Sequence, residues 1–299
     1  MKLMKKFVDI GANLTDSSYK GLYFGQNHHP NDLDSVIKRA FENNLEKIIV
    51  TAGEIPETKE ALEICKQYKG LYTTVGFHPT RSRDFLRNLD ENLREMKRLV
   101  EENPQHVVSL GEFGLDYARL QFSSKEEQLI SFEKQLDFSS NYDLPLFLHC
   151  RDAFDDFMCL FRKYKVGKKF TGVVHSFDGS SDQVNDIIKE GLYIGINGCS
   201  LRSNGALEVV KNIPLDFIML ETDAPWCEIK PSHPSFKFVK TTFDKKKKEK
   251  HDFNHQIKGR NEPINIIQVA EVVSSIKGIS VEALADQVMK NALNLFKNL

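Results

Sequence analysis

Four residues with the chemistry of metal ligands, Glu112, His149, His175 and Asp223, each stand at the end of a short apolar run. Glu112 follows Val107, Val108 and Leu110, with Gly111 and Gly114 on either side to let the backbone turn sharply. A carboxylate leaving a buried strand has to be paired, hydrogen-bonded or bound to metal, because a bare one is costly to bury. Taken singly, His149 and His175 read as ordinary core or surface histidines, and Asp223 before Ala224-Pro225 reads as a turn residue. Taken together, Glu, His, His and Asp make a metal site with open positions.

Imidazole with carboxylate suits zinc, manganese or iron, and carboxylates with open water positions suit magnesium. The residues therefore predict a divalent cation, one ion or two, without naming it. Glu112 is placed to bridge two ions about 3.5 to 4 Å apart, the arrangement that clamps both the attacking and the leaving oxygen of a phosphodiester. Asp223 is expected to orient and deprotonate a water. His78, followed by Pro79, is expected to contact a phosphate or protonate a leaving oxygen, and Arg151 to neutralise developing charge. Asp116 reads as an orienting residue rather than a ligand.

These residues need parallel strands to bring them together. Eight apolar runs alternate with longer amphipathic segments: 7–14, 47–53, 71–79, 107–114, 146–150, 172–177, 192–198 and 217–225. That alternation predicts an α/β protein, a (β/α)8 TIM barrel, with the ligands at the C-terminal rim. Asn31 or Asp32 is expected to cap a first helix, Ser124 with Glu127 to form a capping box, and Ser280 to open the last helix. The chain reads as one domain over 1–299, with a basic insertion around 228–262 that contains the lysine run 245–250. A mobile loop of that kind would meet backbone phosphates, or would simply be solvated. Trp226, Phe113 and Tyr117 are candidate stacking partners for a base.

Of 299 residues, 41 are Lys or Arg and 42 are Asp or Glu, so attraction of an anionic substrate must be local. The five cysteines show no CxxC pair and no even framework, which predicts buried thiols in a reducing compartment. No apolar run has the length of a membrane span. The expectation is a soluble intracellular protein, cytoplasmic or nuclear, of open oligomeric state.

GEFGLDY, LHCR, VHSFDG and ETDAPW, in this order, resemble the TatD family of metal-dependent DNases within the amidohydrolase-like barrels, as do TVGFHPT and GRNEP. The resemblance implies a nuclease supported by magnesium or manganese, with zinc as a third option. It would remove nucleotides from DNA ends, usually the 3′ end, with little sequence specificity, in DNA repair or DNA degradation. It further implies that Glu112 is the bridging ligand, that His149 and His175 hold one metal, and that Asp223 lies near the other. Asn13, His78 and Arg151 are expected to contact substrate. Typical members begin with an HxH pair, and here the matching positions are Gly11 and Asn13, which leaves the second metal position to oxygen ligands such as Asp223, Asn13 or Asp9. Two other readings remain: a small-molecule amidohydrolase or lactonase, and a non-catalytic DNA-binding descendant.

Overall fold

The computed structural model describes residues 6–43 and 45–299. Eight strands follow one another in chain order in one sheet: β1 Phe7–Ala12, β2 Leu45–Val50, β3 Leu71–Val75, β4 Val107–Asp116, β5 Leu146–Arg151, β6 Gly172–Val174, β7 Tyr193–Ile196 and β8 Ile218–Leu220. Ten helices of the described residues run between and after them: α1 Leu33–Glu42, α2 Ile55–Gln67, α3 Ser82–Arg87, α4 Leu89–Glu102, α5 Lys125–Ser139, α6 Phe154–Lys165, α7 Ser181–Lys189, α8 Asn204–Asn212, α9 Ile266–Lys277 and α10 Val281–Leu295. Neighbouring strands β1 and β2, and each pair from β3 through β7, run parallel. This is the expected (β/α)8 order. Several strands are shorter than their apolar runs, so His175 stands one residue past β6 and Asp223 three residues past β8.

The chain divides into two compact units, one comprising the chain up to Val50, Ser176–Ser181 and Gly195–Ala292, the other Thr51–His175, Asp182–Ile194 and Leu293–Leu299. In the first unit, the chain beyond β8 runs alongside the end of β1: Asp223 N–H donates to Gly11 O at 2.8 Å and Asn13 N–H to Ala224 O at 2.7 Å. Val36, Ile37 and Ala40 of α1 are buried, as their helical spacing demands. Asn31 accepts from Leu33 N–H at 3.0 Å, whereas Asp32 makes no capping bond and instead accepts from both terminal nitrogens of Arg260, at 2.8 and 2.7 Å. Glu262 accepts from Arg260 and Arg39, which completes a buried chain of alternating charge.

The basic insertion, expected to be mobile, is tied down. Glu271 of α9 accepts from the backbone of Lys240 and Thr241 at 2.7 and 3.0 Å. Lys245–Lys246 pairs in parallel with Gln256–Ile257. Lys245 is bound to Glu228, and Lys246 to Asp252 at 2.8 Å. The cysteine expectation also needs correction. Cys199 and Cys227 form a disulfide across 28 residues, and of the free thiols Cys65 is buried while Cys159 is exposed. The sequence offers no spacing that joins Cys199 to Cys227; only the fold does.

In the second unit, Phe113, Phe132, Phe157 and Phe161 form a buried aromatic row with successive centroids 5.9, 5.3 and 6.4 Å apart. The Ser124–Glu127 capping box opens α5 as expected. Among the described residues, no single helix is long and apolar enough to cross a membrane.

Candidate metal centre

Strand β4 is buried along its whole length and, contrary to expectation, does not turn at its glycines. Against β5 its register slips between Gly111 and Phe113, so Glu112 is the extra residue of a bulge, a device that re-aims a side chain. The glycines make this possible. Gly111 sits at φ +144°, and a Cβ there would lie 2.1 Å from Phe147 O.

Three histidines of the same unit converge on one oxygen of Glu112. His149, on β5, places Nδ1 2.8 Å from Oε1, and His175 places Nε2 2.8 Å from the same atom. The two ring nitrogens are 3.0 Å apart. Nε2 of His78 lies 3.4 Å from Oε1. Separations of 2.8 to 3.0 Å are the edges expected of donor atoms that share an ion with bonds of about 2.0 to 2.1 Å. Glu112, His149 and His175 therefore fit a divalent cation.

The second nitrogens explain the rest. His78 Nδ1 accepts from Thr80 N–H at 3.1 Å, so the neutral ring carries its proton on Nε2, toward Glu112. Behind His149, Asp116 places Oδ2 3.3 Å from Nε2. Neither Asp116 oxygen is in a well-formed hydrogen bond, and Arg119 Nε lies 3.8 Å from the same Oδ2. Burial drives the His78 pKa down to about 3, although the Glu112 charge opposes it. Burial would raise the Glu112 carboxyl, but His175, His78 and His149 outweigh it and hold the group well below the usual range. Burial would lower His149, but Asp116 and Glu112 outweigh it and raise this ring.

Helix α5 fixes the main chain beside these side chains. Gln135 accepts from Phe77 N–H at 2.8 Å and donates back to Phe77 O at 3.0 Å, next to His78. Gln128 does the same for Asp116, at 2.7 and 2.9 Å. Both glutamines are buried. The sequence reading missed them and Thr80. Their signal was two glutamines seven residues apart on the buried face of the helix, which also carries Ser131, Phe132, Leu136 and Ser139.

Asp223, Asn13 and Asp9 belong to the other unit. Asn13 donates from Nδ2 to Asp223 Oδ1 at 2.9 Å. Cys227 Sγ is 3.2 Å from Asp223 Oδ2, but in the disulfide it has no proton to donate. Both Asp9 oxygens are engaged by the backbone and side chain around them: Oδ1 accepts from Gly11 N–H at 3.2 Å and Thr222 N–H at 2.9 Å, and Oδ2 lies 2.5 Å from the Thr222 hydroxyl. Arg151 ends β5 two residues past His149, on the same face of the strand, opposite Asp116. Of the expected stacking residues, Phe113 is wholly buried, Tyr117 donates to Asp156 at 2.7 Å, and Trp226 is 59% exposed. His29, Asp32 and His251 also gather donor atoms within 4.8 Å of one another. Arg260 already neutralises Asp32, so this group is an ion-pair network rather than a ligand set.

A bulge-aimed glutamate and strand-end histidines on a (β/α)8 chain define a metal-dependent hydrolase of the amidohydrolase-like class. The chain belongs to the TatD related DNase family, which matches residues 8–297. It is 43% identical to "Deoxyribonuclease Tat-D" of Schizosaccharomyces pombe, with 97% of this chain and 95% of that protein covered. It is 32% identical to "3′-5′ ssDNA/RNA exonuclease TatD" of Erwinia amylovora, with 96% and 98% covered. The crystal structure of a TatD family hydrolase from Entamoeba histolytica superposes with a TM-score of 0.94 at 40% identity, with both chains fully covered.

Proposed function

We propose that this chain is a divalent-metal-dependent deoxyribonuclease that removes nucleotides from the 3′ end of DNA. The observation that carries this reading is the convergence of His78, His149 and His175 on Oε1 of Glu112. Glu112, His149 and His175 would hold the ion, with Mg2+ or Mn2+ favoured. When bound, the ion supplies Lewis acidity toward a phosphoryl oxygen and acidifies water. Asp116 orients His149 by facing its second nitrogen. His78 is neutral at physiological pH, so it donates a hydrogen bond from Nε2 to a phosphate oxygen rather than releasing a proton. Arg151 neutralises charge on the scissile phosphate.

Asp223 accepts the proton of the attacking water, the departing 3′ oxygen takes its proton from solvent, and Asn13 fixes the Asp223 carboxylate through the 2.9 Å bond. With backbone phosphate as the recognised group, little base specificity is expected. The test is an end-labelled DNA strand offered to metal-stripped protein with Mg2+, Mn2+ or Zn2+ added in turn. Stepwise shortening from the 3′ end that needs metal supports the reading. A folded protein that cuts nothing under any ion refutes it.

A further inference from the structure

The first unit presents an exposed ring and a set of lysines that the Glu112 cluster does not use. Leu22–Tyr23 and Gln26–Asn27 form a small antiparallel hairpin whose loop is Phe24-Gly25. Both loop residues are left-handed, at φ 51° and 78°. That turn favours Asn-Gly, and a phenylalanine in the left-handed region is strained. Its ring is also fully exposed, touching nothing that would repay either cost. Beside the hairpin is a cavity of about 280 Å³ lined by Tyr23, Lys247, Lys248, Glu249, Lys258 and Gly259.

The first four lysines of the run split in two, and Lys258 joins the second pair. Lys245 and Lys246 are bound by Glu228 and Asp252, whereas Lys247, Lys248 and Lys258 face the cavity. Lys248 lies over the Tyr23 ring at 4.6 Å, and Lys247 and Lys258 line the cavity without an ion-pair partner among the described residues. Glu249 is the one acid of the lining against three lysines, so the cavity is net cationic.

We infer that this hairpin and cavity form an accessory site for single-stranded nucleic acid: the Phe24 ring stacks on a base, and Lys247, Lys248 and Lys258 hold the adjoining phosphates. An exposed ring beside a basic cavity is the pairing with which proteins grip single strands without reading sequence. The inference rests on the nuclease reading for its choice of polymer.

The test is fluorescence anisotropy with the metal-loaded full chain and a labelled oligothymidylate made hydrolysis-resistant by a 3′-terminal phosphorothioate, over a series of salt concentrations. Phe24→Asn suits the turn better than phenylalanine, so it should fold at least as stably while weakening binding on the order of tenfold, and Phe24→Trp should restore binding. The double variant Lys247→Ala, Lys258→Ala should lower the slope of log affinity against log salt by about 1.4, the share of two single-strand phosphates. If these variants bind as the wild type does while the wild type degrades DNA, the accessory site is wrong and the nuclease reading stands. If they lose binding but the wild type cuts nothing, the accessory site stands and the nuclease reading falls. Affinity for anionic lipid vesicles with none for the oligonucleotide would overturn the inference in favour of a membrane surface.

Discussion

Asp116 holds a carboxylate oxygen 3.3 Å from Nε2 of His149, closer than the 3.8 Å that separates it from Arg119. A carboxylate behind a ligating histidine fixes the ring and strengthens it as a ligand. Asp116→Asn should therefore keep the fold, since Gln128 grips only the backbone of residue 116, and should lower metal affinity roughly 10- to 100-fold. Calorimetric titration of metal-stripped protein with Mn2+ checks this. Unchanged affinity would make Asp116 a bystander.

His78 is assigned to substrate rather than metal because its Nδ1 is taken by Thr80 and its proton sits on Nε2. His78→Asn should leave Mn2+ affinity within a few-fold of wild type and reduce kcat about 100-fold. A parallel loss of metal affinity would make His78 a ligand.

Asp9 gives a pH test of the fold, independent of metal. Burial raises its carboxyl to about 8, against the Thr222 and Gly11 hydrogen bonds, so the folded chain keeps a proton that the unfolded chain releases near 3.8. The stabilisation from that proton is fully present below pH 3.8 and is lost as pH rises through 8. Asp9→Asn keeps the hydrogen bonds without the titration. In denaturant melts, its stability relative to wild type should increase steadily across this window; a flat difference would mean that Asp9 is ionised in the fold.

Arg260 is 2% exposed and pairs with Asp32 and Glu262. Arg260→Ala leaves two buried carboxylates short of a partner and should cost about 3 to 5 kcal/mol in a urea melt. A loss below about 1 kcal/mol would show that water reaches the network.

The strands were legible because a parallel strand buried on both faces is an apolar run, and the Ser124–Glu127 box because capping is local. His149, His175 and Glu112 could be grouped because parallel strands deliver their ends to one rim. What escaped was non-local or depended on register. Glu112 is aimed by a bulge, not by a turn, and a one-residue slip against β5 leaves no mark in composition. Asn31 and Asp32 were equal candidates for the cap; Asn31 takes the Leu33 N–H, because an arginine 228 residues away claims Asp32. The lysine run looked like a single basic patch until Glu228 and Asp252 were seen to neutralise two of its members.

The central claim is that Glu112 organises a metal centre that cuts DNA. Its most direct test is Mn2+ titration of metal-stripped wild type and Glu112→Gln, paired with cleavage of a 3′-labelled single strand at each metal concentration. The account predicts cleavage that rises with metal occupancy in the wild type, and a folded variant that both binds Mn2+ far more weakly and leaves the strand intact. A Glu112→Gln protein that binds Mn2+ and shortens DNA like the wild type would contradict it.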